Sequence, residues 1–333
     1  MQIALGTEDL TKVRFLISPL WETVASIEAL QKRTPIHRPW IEMAKERIAA
    51  SPDSRAYEHL RILSALVMPD GYIADSLTPT QPRQDSFAES LDAIRAIPTE
   101  LWERDLRHLA DLTVGSPTRR TIDELLNDID AAVSRILAAL EWYWATAVEP
   151  FWPRLRSVLL ADVDSRLEQL ARDGIQEVFK TLHPRVRPNS TGLEIMRGVT
   201  CCHYANNVPE PGMGLILVPN AFVWPDTMVL NVQPFVPTIT YAPRGVGRLW
   251  ETVRETSESP VSALLGRTRA QILAQLDVPM TTTQLACALD LAAATVSGHL
   301  RVLSGSGLAE SLRSGREVFY QRGELGDALL SRA

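Results

Sequence analysis

Residues 281–321 read TTTQLACALDLAAATVSGHLRVLSGSGLAESLRSGREVFYQ. The spacing predicts a helix, a sharp turn, a second helix and then a hairpin with a glycine at its tip. In the first helix Leu285 and Leu289 lie four apart and stack on one face, with small Ala286 beside them to admit a close neighbour. Asp290 then interrupts, and aspartate is one of the few side chains that tolerates the left-handed backbone of such a turn. In the second helix Val296, Leu300 and Leu303 recur at i, i+4 and i+7 and face inward. That leaves Thr295, Ser297, Gly298, His299 and Arg301 on or near the outer face. Short, polar and cationic residues suit a helix that enters a groove about 12 Å wide. His299 reads equally well as a phosphate or base contact and as packing against the hairpin.

Beyond the second helix, Gly305 and Gly307 end the helical run, residues 308–312 form a strand, Ser314-Gly315 turns, and Val318-Phe319-Tyr320 returns. This is a wing. Arg313 and Arg316 flank its tip and would carry two guanidiniums toward a phosphate backbone or minor groove. Thr282, Thr283 and Gln284, at the head of the first helix, complete the candidate DNA-contact set with Thr295, Ser297, Gly298, His299, Arg301, Arg313, Ser314 and Arg316.

The run resembles the winged helix of ArsR-type bacterial repressors. It has their V-S-x-H-L-x-x-L pattern (Val296, Ser297, His299, Leu300, Leu303), then Gly307-Leu308, then Gly315-Arg316 and Tyr320, and GELGDALL (323–330) is similar to their closing helix. A fainter resemblance, to the long amino-terminal region of large actinobacterial members, rests on GLILVPNAFVWPDTMVL (214–230) and PTITYAPRGVGRLWE (237–251). The resemblance implies a cytoplasmic repressor that reads a partly palindromic duplex operator as a homodimer. Two positions depart from it. Thr281 and Thr283 stand where metal sensors carry cysteines, and hydroxyls do not replace thiolates for a soft metal. Ala292 stands where relatives often have a capping serine, a loss worth about 1 kcal/mol of local stability.

At 333 residues the chain is too long for this module alone, and 45% hydrophobic with 22% charged residues is an ordinary globular composition. No apolar run reaches the ~18 residues of a membrane span, and MQIALGTEDL lacks the features of a secretion signal. Three cysteines make no disulfide framework. The net charge of −6 divides unevenly: residues 260–333 hold seven arginines against six acids, so the head is near neutral and the body acidic. Such a chain suits one specific duplex and predicts weak non-specific affinity.

The rest of the chain predicts an α+β, mostly α protein: a helical domain over 1–182, a Pro-rich β subdomain with a small antiparallel sheet over 183–243, a linker helix over 244–259 and the winged helix over 260–333. The expected helices are one amphipathic helix from Glu8 to Leu30, shorter ones at 39–50, 53–67, 86–97 and 98–111, a long one from a capping box at Thr121–Glu124 toward Val148, and another from Phe151 to Leu182. Nine of the 22 prolines fall between His183 and Pro243, which excludes long helices there. Leu193–Val199, Leu215–Val218, Thr227–Val232 and Pro237–Tyr241 read as strands, and Ile272, Leu273 and Leu276 as a scaffold helix.

Trp142, Tyr143, Trp144, Phe151 and Trp152 gather where two long helices meet. They read either as corner packing or, through Trp142, Trp144 and Trp152, as the lining of a pocket for a flat or greasy effector. Cys201-Cys202-His203 alternates faces in a strand and has no second cysteine pair, so buried structural residues are the simpler reading; Cys287 is read as packing. Gly212-Met-Gly214 precedes a strand and lacks a third glycine, which sets aside a dinucleotide loop. No phosphate loop, zincin motif or nucleophile elbow occurs, and no cofactor or metal is expected. The expectation is a non-enzymatic regulator, with an enzyme or a protein-interaction scaffold bearing a winged-helix tail as the alternatives.

Overall fold

Val13, Arg14 and Phe15, expected inside one long amphipathic helix, form a strand instead. The chain opens with β1 (Gln2–Ala4), α1 (Thr7–Thr11) and this strand, β2 (Val13–Phe15). The next helix, α2 (Pro19–Lys32), then starts afresh: Ser18 Oγ accepts from the Trp21 N–H, and Pro19 occupies the first helical position, where its missing N–H costs nothing. The expected bend at Pro19 is thus a helix start. Every residue from Pro19 to Ala29 is buried, including Glu22, Thr23, Ser26 and Glu28, so α2 has no solvent face over its first three turns.

In this computed structural model the described residues are 1–69, 71–79, 86–196, 200–201, 210–250, 260–276, 280–289, 291–314 and 317–331. They form two units: Met1–Thr34 with Trp40–Ala242, and Pro35–Pro39 with Pro243–Ala333.

The helices continue as α3 (Arg38–Ala49), which belongs to the first unit from Trp40 on, α4 (Ala56–Leu66), α5 (Phe87–Arg95), α6 (Thr99–Leu112), α7 (Thr118–Leu126) and α8 (Ile129–Tyr143), followed by α9 (Trp152–Asp173) and α10 (Ile175–Leu182). Two expected long helices are therefore broken. Thr121 lies inside α7, where its hydroxyl accepts from Arg61 at 3.0 Å; the cap that starts the next helix is Asp128, whose carboxylate accepts from the Ala131 N–H at 3.0 Å. Between α9 and α10, Gly174 adopts φ +81°, a conformation that ends a helix and that glycine reaches without strain.

The strands that follow are β3 (Val186–Asn189), β4 (Gly192–Ile195), β5 (Thr200–Cys201), β6 (Leu215–Pro219), β7 (Met228–Leu230) and β8 (Thr238–Tyr241). The expected small antiparallel sheet is present as β1-β4-β3. The other expected strands leave it for a second, mixed sheet of order β2-β6-β8-β7-β5, in which only β7 and β8 pair antiparallel. All residues of β6, β7 and β8 are buried. Strands covered on both faces lose the in/out alternation that marks antiparallel pairing, as parallel strands generally do. One core joins the sheets to α10 through Val178, Phe179, Leu193, Leu215, Leu217 and Tyr241. The Gly212 and Gly214 amides donate to Asp9 at 2.8 and 2.9 Å, a structural use of those glycines.

The second unit holds α11 (Pro260–Leu265), α12 (Arg267–Gln275), β9 (Met280–Thr281), α13 (Thr282–Leu289), α14 (Ala293–Gly305), β10 (Ala309–Ser314), β11 (Glu317–Arg322) and α15 (Glu324–Ser331). Within the expected linker helix the described part is a 3-10 turn, Val246–Arg248; residues 251–259 lie outside the described residues. Ile272, Leu273, Leu276, Leu285, Leu289, Val296, Leu300 and Leu303 are all buried and form the core of the module. A Cβ at Gly326 would run into the Leu308 carbonyl oxygen, so α15 crosses the base of β10 at backbone contact.

Candidate nucleic-acid interface

The head of α13 is fixed by a reciprocal cap. Thr281 Oγ1 accepts from the Gln284 N–H at 3.2 Å, and Gln284 Oε1 accepts from the Thr281 N–H at 2.8 Å. After α13 the Leu291 N–H donates back to the Ala286 carbonyl at 3.0 Å, which closes the turn; Asp290 itself lies outside the described residues. Ala292 then holds the N-cap position of α14 in extended backbone and makes no side-chain cap bond. The first-turn N–H groups of α14 therefore have no side-chain partner from that position, beside the exposed stretch Ala292–Thr295.

α14 is two-sided. Val296, Leu300 and Leu303 are buried, while Ala294, Thr295, Gly298, Arg301 and Val302 are exposed. Its far end is a Schellman closure: the Leu308 N–H donates to Leu303 O at 3.0 Å and the Gly307 N–H to Ser304 O at 3.1 Å, with Gly307 at φ +73°. That turn aims the chain into β10. β10 and β11 pair antiparallel from Ala309↔Arg322 to Ser314↔Glu317, and β9 adds a third strand through Phe319↔Thr281 and Tyr320↔Met280.

The candidate contact residues separate by exposure. Thr283, Thr295, Gly298, Arg301 and Arg313 are exposed, and Thr282, Gln284, Ser297 and His299 are half-buried. Gln284 is already engaged as the α13 cap. Ser314 closes β10 at the tip, and Arg316, with Gly315, lies outside the described residues. Arg301 and Arg313 make no ion pair among the described residues. Arg322, by contrast, is a staple: it pairs with Asp327 and donates to the Leu273 and Ala274 carbonyls at the end of α12. Ala294 and Val302, the latter 50% exposed, share this face but are apolar and so stand outside a candidate set chosen for polar side chains. Their spacing of four on either side of Gly298 places them on its face, and a small apolar side chain is what meets a thymine methyl.

In the first unit the tryptophans divide. Trp142 faces α4 and its approach, donating Nε1–H to Ser51 Oγ at 3.0 Å and lying 5.4 Å from the His59 ring. Trp144 stacks on Phe87 at 4.6 Å and meets Trp152 edge-on at 5.5 Å. The structure thus brings Trp144 and Trp152 together and leaves Trp142 elsewhere. Cys201 sits in β5 beside Val229, Cys287 lies on α13, and Cys202 and His203 lie outside the described residues.

With this geometry in place, the comparisons agree at the level of the module. A family model described as a helix-turn-helix domain matches residues 264–311, from the end of α11 into β10. No curated protein and no solved structure matches the chain. No helix among the described residues is long and apolar enough to cross a membrane. The chain is a DNA-binding transcription regulator with a carboxy-terminal helix-turn-helix, in an α+β, mostly α fold.

Proposed function

We propose that the chain is an ArsR-type repressor that reads a partly palindromic operator as a homodimer, with a non-enzymatic first unit that senses a small molecule or mediates assembly. One observation carries the reading: α14 buries one stripe and leaves Thr295, Gly298 and Arg301 bare, in the same module as a two-stranded wing that bears exposed Arg313. A single head reads few base pairs, and two-fold pairing doubles the site. Leu264 and Leu325, on the first and last helices of the unit, are 69% and 56% exposed and supply apolar surface for such pairing. Because the Thr281 hydroxyl serves as a cap, the reading assigns no soft-metal sensing there. Effector binding to the first unit would alter the spacing of two heads, and operator DNA would weaken effector binding by the same factor.

Selection of bound fragments from the source genome, followed by titration of the recovered duplex, tests this. Arg301→Ala and Arg313→Ala, separately, are expected to weaken binding about tenfold each and to lower the salt slope by about one per lost phosphate contact. Unchanged affinity in both variants would favour a protein-binding winged helix.

A further inference from the structure

The cleft beside Trp144 and Trp152 has a chemistry that the DNA-binding module does not use. α8 passes into a five-residue π-turn, Trp144–Val148, then a 3-10 turn, Glu149–Phe151, before α9 begins at Trp152. A π-turn holds one residue more per turn than an α-helix, is poorly favoured, and recurs where a side chain must be re-aimed for function. Here it falls where Trp144 lies flat on Phe87, with interplanar angle 10°, and Trp152 stands at 66° to Trp144. α5 presents Phe87 from a reciprocal cap between Ser86 and Glu89.

These rings bound an open cleft of about 480 Å³, lined also by Leu91 and by the carboxylates Glu141 and Glu149. That volume suits a small organic ligand. Phe87, Leu91 and Trp144 are each 8% exposed and make a fixed apolar floor, while half-buried Trp152 offers the accessible ring. Among the described residues no lysine or arginine lines the cleft, and Glu141 and Glu149 are exposed and make no ion pair. Aromatic faces attract positive charge, and two unpaired carboxylates add to the same sign of field. A metal ion or simple ammonium would lose too much hydration against an apolar floor, whereas an anion would meet both carboxylates. A flat cation with spread charge loses little water and gains stacking.

We propose that this cleft binds a flat organic cation, its ring against Trp152 and its charge toward Glu141 and Glu149. The proposal rests on the reading of the first unit as a sensor and names the ligand class. Pro19, the first residue of α2, also lines the cleft. The chain leaves α2 for Pro35–Pro39, which belongs to the second unit, so an occupant touches the helix that leads there.

The test titrates the full chain, without DNA, with N-methylquinolinium, its neutral isostere 1-methylnaphthalene and the anion 1-naphthoate, following tryptophan fluorescence and calorimetry. The cation is expected to quench saturably and to bind at least tenfold tighter than the isostere, with no binding of the naphthoate. Glu141→Gln with Glu149→Gln, both at exposed positions, is expected to erase the preference for the cation while leaving the isostere unchanged, and Trp152→Ala to weaken all stacking ligands. Equal binding of cation and isostere, tighter binding of the anion, or no binding of any probe overturns the proposal. A separate arm adds the cation to the protein–duplex complex. Binding without release of DNA would leave the cleft standing and remove its regulatory role, and no binding of the cation with DNA affinity intact would overturn the cleft while leaving the DNA-binding reading in place.

Discussion

α2 and α14 are helices of similar length, 14 and 13 residues, in opposite environments. α2 is buried from Pro19 to Ala29 whatever the residue type, so its polar members must find partners inside: Ser26 donates to the Thr23 carbonyl, and Glu22 accepts from the Ala221 N–H at 2.7 Å. α14 has one buried stripe and an open face. A helix without a free face serves architecture, and every position on it is constrained by packing. A helix with a bare polar face, on a module whose core is otherwise complete, has that face available for a partner.

The largest effect that tests this contrast comes from adding a charge to each helix. Val24→Asp is expected to cost more than ~4 kcal/mol and to prevent the first unit from folding, because the carboxylate has no partner in the interior. Thr295→Asp is expected to leave the melting temperature within a degree or two and to abolish duplex binding by repulsion. Circular dichroism melts and duplex titration of the two variants decide it; a folded Val24→Asp protein would break the contrast.

Next in size is Glu22. Burial pushes its carboxyl up to about 8, against the pull of the Ala221 and Phe222 backbone N–H groups in the other direction. Between about 4.5 and 8 the folded chain keeps a proton that the unfolded chain has released, so stability falls as pH rises through that window and levels off above it. Glu22→Gln keeps an acceptor for the Ala221 amide and removes the ionisation. It is expected to match the parent at pH 4 and to exceed it at pH 8 by on the order of a few kcal/mol. Denaturant unfolding across that range checks this, and parallel pH profiles would refute it.

The smallest effect sharpens the other side. Gly298 sits mid-helix on the open face of α14, and a Cβ there would meet nothing within 4 Å. Gly298→Ala should stabilise the head by ~0.5–1 kcal/mol and at the same time weaken duplex binding, if the glycine is there to let the helix approach a groove closely. A rise in stability without loss of affinity would place the DNA on another surface.

The same contrast explains what could be read from residues alone. α14 is legible because one-sided burial leaves a 3.6-residue period, and the wing because its two β-prone runs flank Ser314-Gly315 in the sequence. α2 reads on from Val13–Phe15 because the apolar period runs through both, although Ser18-Pro19, a cap followed by a first-turn proline, marks the break locally. Local signals mark two other breaks, Asp128 as a cap and Gly174 as a terminator, but the apolar pattern runs unbroken across both. Trp142 and Trp144 are close in sequence but two positions apart on a helical path, so they point to different sides.

By itself, the sequence determined the order of elements in the carboxy-terminal head, its buried stripe and its exposed polar face, because each depends on residues within a few positions of one another. Only the tertiary structure decided that β2 pairs in parallel with a strand some two hundred residues away, that a glutamate sits in the interior of α2, and that Phe87 joins Trp144 and Trp152 around a cleft with two carboxylates. Those facts depend on which distant segments meet, and hydrophobic periodicity records that a residue is covered without recording what covers it.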